Sequence, residues 1–301
     1  MSENLHVSII IPSLHSSSIE ATLQAIALQS AFSQITEIII AGQQNISDSI
    51  DIPGLVYLPV DVSPTPARNR NAGAQRASGD ILCFTDSDCV PHPDWVKHLL
   101  TTISHAEFVA GAVDVPANAP YWSRCDHILG FENQAVGIAN AQILPYAATL
   151  NFSCRRDLFL SLHGFSESFV TAGGEDREFC WRLQKAGYKI MFEPAALVVH
   201  NHIRKDFHSA WRHIYHYGQV TSQFRLSLGE DVSWSWRLNK AIAKTPLLGE
   251  FAGVGRVLAL SVIRILRHPA LLQNSQYLPG IAILNLAHTL GMIQVIRTHV
   301  A

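Results

Sequence analysis

The chain has 301 residues, 48% apolar and only 15% charged, which gives it ample material for a core and excludes an intrinsically disordered segment. Lys and Arg total 22 against 24 Asp and Glu, a net charge of −2 that excludes a generally basic nucleic-acid binder. The charge is divided unevenly: residues 1–202 carry 11 basic and 20 acidic groups, net −9, and residues 203–301 carry 11 and 4, net +7.

Val7 to Ile11 is a β-branched run closed by Pro12, and Ile35 to Ile40 is a second, closed by Ala41-Gly42; both read as buried strands. Between them Ser17-Ser-Ile-Glu20 has the spacing of a capping box, and Leu23, Ile26 and Ala27 follow at helical spacing. A third apolar run, Leu55 to Val60, leads to a helix over 66–77 with Pro66 in its first turn and Gly79 beyond its end. The strand Ile81 to Thr85 runs into Asp86-Ser87-Asp88, Pro93-Asp94-Trp95 opens a helix, and Phe108 to Val115 reads as a further strand. Such alternation predicts an α/β domain with a mostly parallel sheet flanked by helices.

From Tyr121 to Leu150 the periodicity is poor, and the segment reads as an acceptor-side insertion. Order resumes with a strand over 149–154, a helix from about Arg156 and the turn His163-Gly164-Phe165. Gly173-Gly174-Glu175-Asp176 enters a helix ending at Gly187, and strands are expected at 188–192 and 196–199. The five cysteines are widely spaced and odd in number, as expected for reduced, buried thiols of a cytosolic protein, and no secretory signal is visible.

The chemistry concentrates at Asp86-Ser87-Asp88, because ligands of open α/β sheets bind outside the carboxyl ends of the strands. Two carboxylates there can hold a hard divalent cation, or simply make a strand-end turn that caps the next helix. The chain resembles the family 2 glycosyltransferases, inverting enzymes of the GT-A fold. The likeness is carried by Val7 to Pro12, by Thr65-Pro-Ala-Arg-Asn-Arg-Asn-Ala-Gly-Ala74 before Gly79-Asp80 and the Asp86-Ser87-Asp88 strand, and by Gly174-Glu-Asp-Arg-Glu-Phe179 with Arg182 and Ala186-Gly-Tyr188. Phe192-Glu-Pro-Ala195 leading to Val198-Val-His200 completes it, over about residues 5–225.

The resemblance implies a nucleotide-sugar donor, manganese or magnesium, and a hydroxyl acceptor on a glycan, a lipid-linked sugar or a small molecule. Asp86, Asp88 and His200 match the metal site, with Asp86 also on the donor. Asp176 matches the catalytic base and Glu175 stands beside it; by their own chemistry these two carboxylates could equally serve only the helix dipole. Pro12, Ser13, Arg68 and Asn69 match positions bordering the donor. His202, His208, His213 and His216 are expected as surface or packing residues, and a solvated helix face is an equal reading for Arg70 and Arg76. One departure is Ala41-Gly-Gln-Gln-Asn45, where the family often has paired acids, so the base contact is unassigned, with Gln43, Asp48 and Asp61 as candidates and UDP or GDP both open. Tyr121, Trp122, Tyr146, Phe169 and Trp181 could stack on sugars or pack in a core.

The expected domains are 1–225, the transferase, and 226–301, a helical, basic and apolar extension. In the latter Arg256, Arg264 and Arg267 fall near one helical face, with Val257, Leu258, Val262 and Ile265 on another, a pattern that suits an anionic bilayer surface or packing on protein. Ile281 to Ile296 is apolar but short for a span. The expectation is a metal-dependent inverting glycosyltransferase, cytoplasmic or at the cytoplasmic face of the membrane, with peripheral contact through the C-terminal helices. The alternatives are a catalytically silent nucleotide-sugar-binding or scaffold domain and a metallohydrolase built on the histidines. A Rossmann oxidoreductase is set aside, since Pro12 to Ser17 contains no glycine.

Overall fold

A computed structural model describes residues 5–44, 50–60, 64–169, 171, 173–228 and 246–300, the last with backbone only at 246–254, 256, 258 and 300. The chain divides into two compact units, residues 1–116 with 141–202 and residues 117–140 with 203–301.

In the first unit the strands are β1 (Val7–Leu14), β2 (Ile35–Gln43), β3 (Leu55–Pro59), β4 (Ile81–Thr85), β5 (Cys89–Pro91), β6 (Phe108–Asp114), β7 (Ile143–Leu144), β8 (Asn151–Arg155) and β9 (Ile190–His200). They form a mixed sheet of order β3-β2-β1-β4-β8-β6-β9-β5, with β7 paired to β9. β3, β2, β1 and β4 are parallel, joined by α1 (Ile19–Ala27) and α2 (Pro66–Arg76), while β8 is antiparallel to β4 and β6. α3 (Trp95–Ile103), α5 (Arg156–Ser161) and α6 (Glu175–Lys185) complete the unit; α4 belongs to the second.

Local details depart from expectation. The capping box at Ser17 does not form: α1 starts at Ile19 after Ser18, whose side chain makes no cap bond and whose N–H instead donates to Ser16 Oγ. The two strands expected around Phe192 and Val198 are one strand, β9, whose register on β6 jumps from Gly111↔Glu193 to Ala112↔Leu197. Asn151 closes that irregularity, donating to the carbonyls of Ala112 (2.7 Å) and Ala196 (2.8 Å) while accepting from Trp95 Nε1 (2.8 Å). Gly111 is required there, because a Cβ would lie 2.2 Å from the Ala196 carbonyl oxygen.

The core explains the placement of the later helices. Phe84, Phe159, Phe165 and Phe179 pack with ring centroids 5.0–5.4 Å apart, and each buried ring contributes about 2–3 kcal/mol by area removed from water. Phe179 lies on α6, so the cluster clamps that helix onto the sheet. At the amino ends of the strands Glu37 is buried and accepts from Ser8 Oγ (2.8 Å), Ser78 N (2.6 Å) and Ser78 Oγ (2.7 Å). Burial opposes its charge, but those hydrogen bonds hold the carboxyl below the usual range. This carboxylate is fully engaged in structure. All five cysteines are buried and unpaired.

The second unit is helical: α4 (Tyr121–Phe131), which the weak periodicity after 121 did not announce, α7 (Phe207–Ser227), α8 (Pro246–Arg267) and α9 (Leu278–Val300). The expected boundary at 225 falls within α7. Asp206 and Ser209 form a reciprocal capping box at the start of α7. α7 and α9 approach at their glycines: a Cβ on Gly218 would meet the His288 carbonyl oxygen at 2.1 Å, and one on Gly291 that of Tyr215 at 2.0 Å. Residues 275–299 are long and apolar enough to cross a membrane, yet Asn285 and Thr289 within them are buried.

Candidate active site

The carboxyl ends of β1 and β2 are held by a polar network. Gln44 Oε1 accepts from Ser13 Oγ (2.7 Å) and Ser16 N (2.7 Å), and Gln44 Nε2 donates to the Ser16 carbonyl (3.1 Å). Tyr57 Oη accepts from Gln44 N (3.2 Å) and donates to the Gly42 carbonyl (3.1 Å). The loop after β1 reaches the loop after β4, since Ser16 Oγ donates to the Ser87 carbonyl (3.2 Å).

α2 begins where its sequence suggests, with Thr65 Oγ1 accepting from Arg68 N (3.2 Å) and Pro66 in the first turn. Small residues, Ala67, Gly73 and Ala74, meet the sheet, and the polar Asn69, Arg70 and Asn71 are buried beside them. Arg70 Nη2 donates to Asp86 Oδ1 (2.6 Å) and Nη1 to Glu175 Oε1 (2.9 Å), so one guanidinium spans the loop after β4 and the start of α6. Burial disfavours the charge, but Asp86 and Glu175 outweigh it and keep Arg70 ionised.

Beyond Asp86 the chain turns into β5, whose pairing Cys89↔His200 sets Asp88 next to the end of β9, and Asn201 N donates to the Asp88 carbonyl (2.8 Å). Asp88 Oδ1 lies 3.5 Å from His200 Nε2, and Asp88 Oδ2 lies 3.5 Å from His202 Nδ1. Burial raises the Asp88 carboxyl, but the His200 hydrogen bond and the charges of His200 and His202 prevail and hold it low. One ligand atom from each of the three residues lies within 4.8 Å of the others, the one cluster of metal-ligand spacing among the described residues. A carboxylate with two imidazoles suits a divalent ion such as manganese that keeps further positions for water or phosphate oxygen.

The fourth part is the entry to α6. Gly173 and Gly174 both have φ of +97°, a left-handed conformation open to glycine at little cost. Glu175 follows, 4% exposed, with Oε2 lacking a hydrogen-bond partner. Its burial and then the Asp176 charge push its carboxyl up to about 7, against the pull of Arg70. Asp176 is half-buried and accepts from Arg177 N (2.7 Å). Arg182, one turn on, pairs with Glu178 (2.7 Å) and donates to the carbonyls of Leu162 and Gly164 (2.5 Å each), tying the preceding loop to α6.

Of the residues singled out in the sequence, Asp88 and His200 come together, and Asp86 and Glu175 meet on Arg70. Ser13 sits in the Gln44 network after Pro12 at the end of β1. Asn69 is buried on α2 with Oδ1 unpartnered, while Arg68 turns outward to Glu167 (3.1 Å). Asp48 and Asp61 lie outside the described residues. The structure overturns the solvated-face reading of Arg70 and the expectation of His202 as a surface or packing residue. Arg70 is buried, because Asp86 and Glu175 meet its guanidinium, and His202 joins Asp88 and His200 because it projects two residues beyond the strand end. Their signals were an arginine flanked by asparagines, and a His-x-His spacing.

Residues 8–160 match the family described as "Glycosyl transferase family 2", and residues 143–208 match "N-terminal domain of galactosyltransferase". A pre-mycofactocin glycosyltransferase of Mycobacterium tuberculosis is 28% identical over 146 residues, 46% of this chain and 31% of that protein, so the chain corresponds to under a third of the relative's length. Among solved structures, a Pyrobaculum calidifontis mannosyltransferase in complex with GDP-Man and Mn²⁺ superposes with a TM-score of 0.56 at 16% identity, covering 94% of this chain and 87% of that one. GalNAc-T7 with UDP, GalNAc and Mn²⁺ gives 0.53 at 17% identity, covering 72% and 47%. The fold is that of the GT-A transferases.

Proposed function

This chain belongs to glycosyl transferase family 2, and from that premise we propose that it is a metal-dependent, inverting enzyme moving a sugar from a nucleotide diphosphate to an acceptor hydroxyl. The observation that carries the reading is Arg70, whose guanidinium holds Asp86 and Glu175 together and so brings two separate motifs into one site. Asp88, His200 and His202 would hold the cation, manganese or magnesium, which when bound neutralises charge on the leaving diphosphate. The mannosyltransferase and GalNAc-T7, each solved with a nucleotide or nucleotide sugar and Mn²⁺, support that assignment.

In the reaction an acceptor oxygen forms a bond to the anomeric carbon as the carbon–oxygen bond to the diphosphate breaks on the opposite side, inverting the centre. The acceptor proton passes to the Asp176 carboxylate. Asp176 suits this role because it is half-buried at a helix start with its second oxygen left for the acceptor, whereas Glu175 is sealed against Arg70. Glu175 and Arg70 are positioning residues. Asp86, Asn69, Pro12 and Ser13 border the donor.

The acceptor is a hydroxyl of a glycan, a lipid-linked sugar or a small molecule. The five unpaired, buried cysteines accord with a reducing compartment, and the cationic last helices with peripheral contact at the cytoplasmic face of a membrane. The test is a donor-hydrolysis and transfer assay across UDP- and GDP-sugars with Mn²⁺: Asp176→Asn is expected to bind the donor as wild type does and to lose turnover by a factor of about 10³. Full turnover by that variant overturns the assigned base. Donor binding without turnover by the wild type would favour the silent binding domain instead.

A further inference from the structure

α8 distributes its residues in an unusual way. At about 100° per residue, Ala259, Val262 and Leu266 fall within roughly 60° of one another. All three are exposed, Val262 by 56% and Leu266 by 73%. Arg264, about 160° around the helix from Leu266, points into the second unit, where it pairs with Glu132 and donates through Nη1 to Asn285 Oδ1 (2.8 Å). Arg264 itself is 17% exposed, Glu132 22% and Asn285 buried, so the cation is committed to the interior. The expected single arginine face of α8 is therefore divided: Arg264 faces inward, and Arg267 at the helix end is exposed. Leu272, just past the helix, is 59% exposed.

We propose that the Ala259–Val262–Leu266 face of α8 seats in the headgroup–acyl boundary of an anionic bilayer. Lipid is favoured over a second copy of the chain for two reasons. Residues 203–301 carry a net charge of +7, and Arg267 is exposed at the end of α8, so a second copy would bring like charge toward this face, whereas anionic headgroups complement it. Three side chains on a stripe roughly 10 Å long also fall far short of the ~800 Å² per partner that a stable interface needs. A bilayer requires no matching shape, and a helix with one apolar face and a cation at its end lies in the plane of the membrane. This assignment rests on the peripheral-membrane reading above and is independent of the transfer chemistry.

The experiment is flotation of the full chain with zwitterionic vesicles and with vesicles containing about 30% phosphatidylglycerol. Wild type is expected to float with the anionic vesicles, less so at high salt, and Val262→Glu/Leu266→Glu to bind about tenfold or more weakly. Leu28→Glu, at an equally exposed leucine (73%) after α1, is expected to float like wild type. Because all the altered side chains face solvent, unchanged melting confirms folding. Undiminished flotation of the double variant overturns the α8 face while leaving membrane binding intact. Wild type that floats with neither vesicle overturns the membrane reading itself. A wild-type dimer that the double variant dissociates assigns the face to a second copy and overturns the proposal.

Discussion

Arg70→Met removes the cation that joins Asp86 to Glu175 while nearly preserving side-chain volume, so it isolates the electrostatic link. The Arg70 side chain is 5% exposed, as is that of Glu175, and that of Asp86 is 29% exposed. Breaking a buried pair by deleting one partner costs about 3–5 kcal/mol, because the remaining charge stays desolvated. Here the low end, about 3 kcal/mol, applies, since Asp86 can turn to water and Glu175, its carboxyl already near 7, can take up a proton. For a unit of this size that corresponds to a fall in Tm of roughly 6–12 °C. Thermal melting followed by circular dichroism reads it directly, and donor turnover of the still-folded variant should fall more than its donor affinity. A melting point within a degree of wild type together with unchanged kcat would refute the link. Arg70→Lys, which can reach only one carboxylate at a time, should lie between the two.

Glu175→Gln should flatten the pH dependence of stability. The folded carboxyl titrates near 7 against 4.5 unperturbed, so the native state holds the extra proton and stability falls as pH rises through that window; melting scans from pH 5 to 8 would show the same slope in both proteins if the argument is wrong. His202→Ala should weaken Mn²⁺ binding about tenfold, or about 1.4 kcal/mol, as measured by the resonance signal of free Mn²⁺, and equal affinity would exclude His202 from the cluster. Gly111→Ala should destabilise the first unit by about 3 kcal/mol, since its Cβ would strike the Ala196 carbonyl and the Asn151 amide; a chemical denaturation midpoint matching wild type would show that β9 can yield there.

The parts of the fold that announced themselves were those with unambiguous local chemistry. Pro66 after Thr65 marks the start of α2, the apolar run Ile81 to Thr85 before Asp86 marks a central strand, and paired glycines before Glu175 mark a turn into a helix. What stayed hidden depends on contacts distant in sequence. α2 has a hydrophilic sequence, so the asparagines flanking Arg70 do not by themselves mark it as the buried arginine and Arg76, 54% exposed, as the solvated one; the acidic groups after β4 and on α6 decide it. Likewise β9 looks like two strands because Glu193-Pro-Ala-Ala196 interrupts its β-forming residues, and the pairing with β6 resumes only because Asn151 spans the gap. Histidine clustering near 200 was visible, but the choice of His202 over its neighbours follows from the chain beyond β9, where Asn201 N bonds the Asp88 carbonyl and sets the next residue beside that carboxylate.

The pairing of β5 with β9 carries a further consequence for folding. β5 is a three-residue strand at the edge of the sheet, so its register on β9 rests on a short ladder flanked by two bonds, Asn201 N to the Asp88 carbonyl (2.8 Å) and His92 N to the Leu197 carbonyl (2.9 Å). A slip of one residue would set Cys89 opposite Val199 instead of His200 and turn the β5 side chains to the other face, carrying Asp88 away from the two imidazoles. An ion held by Asp88, His200 and His202 would therefore act as a proofreader of strand alignment, fixing the last pairing of the sheet in the only register that can bind it.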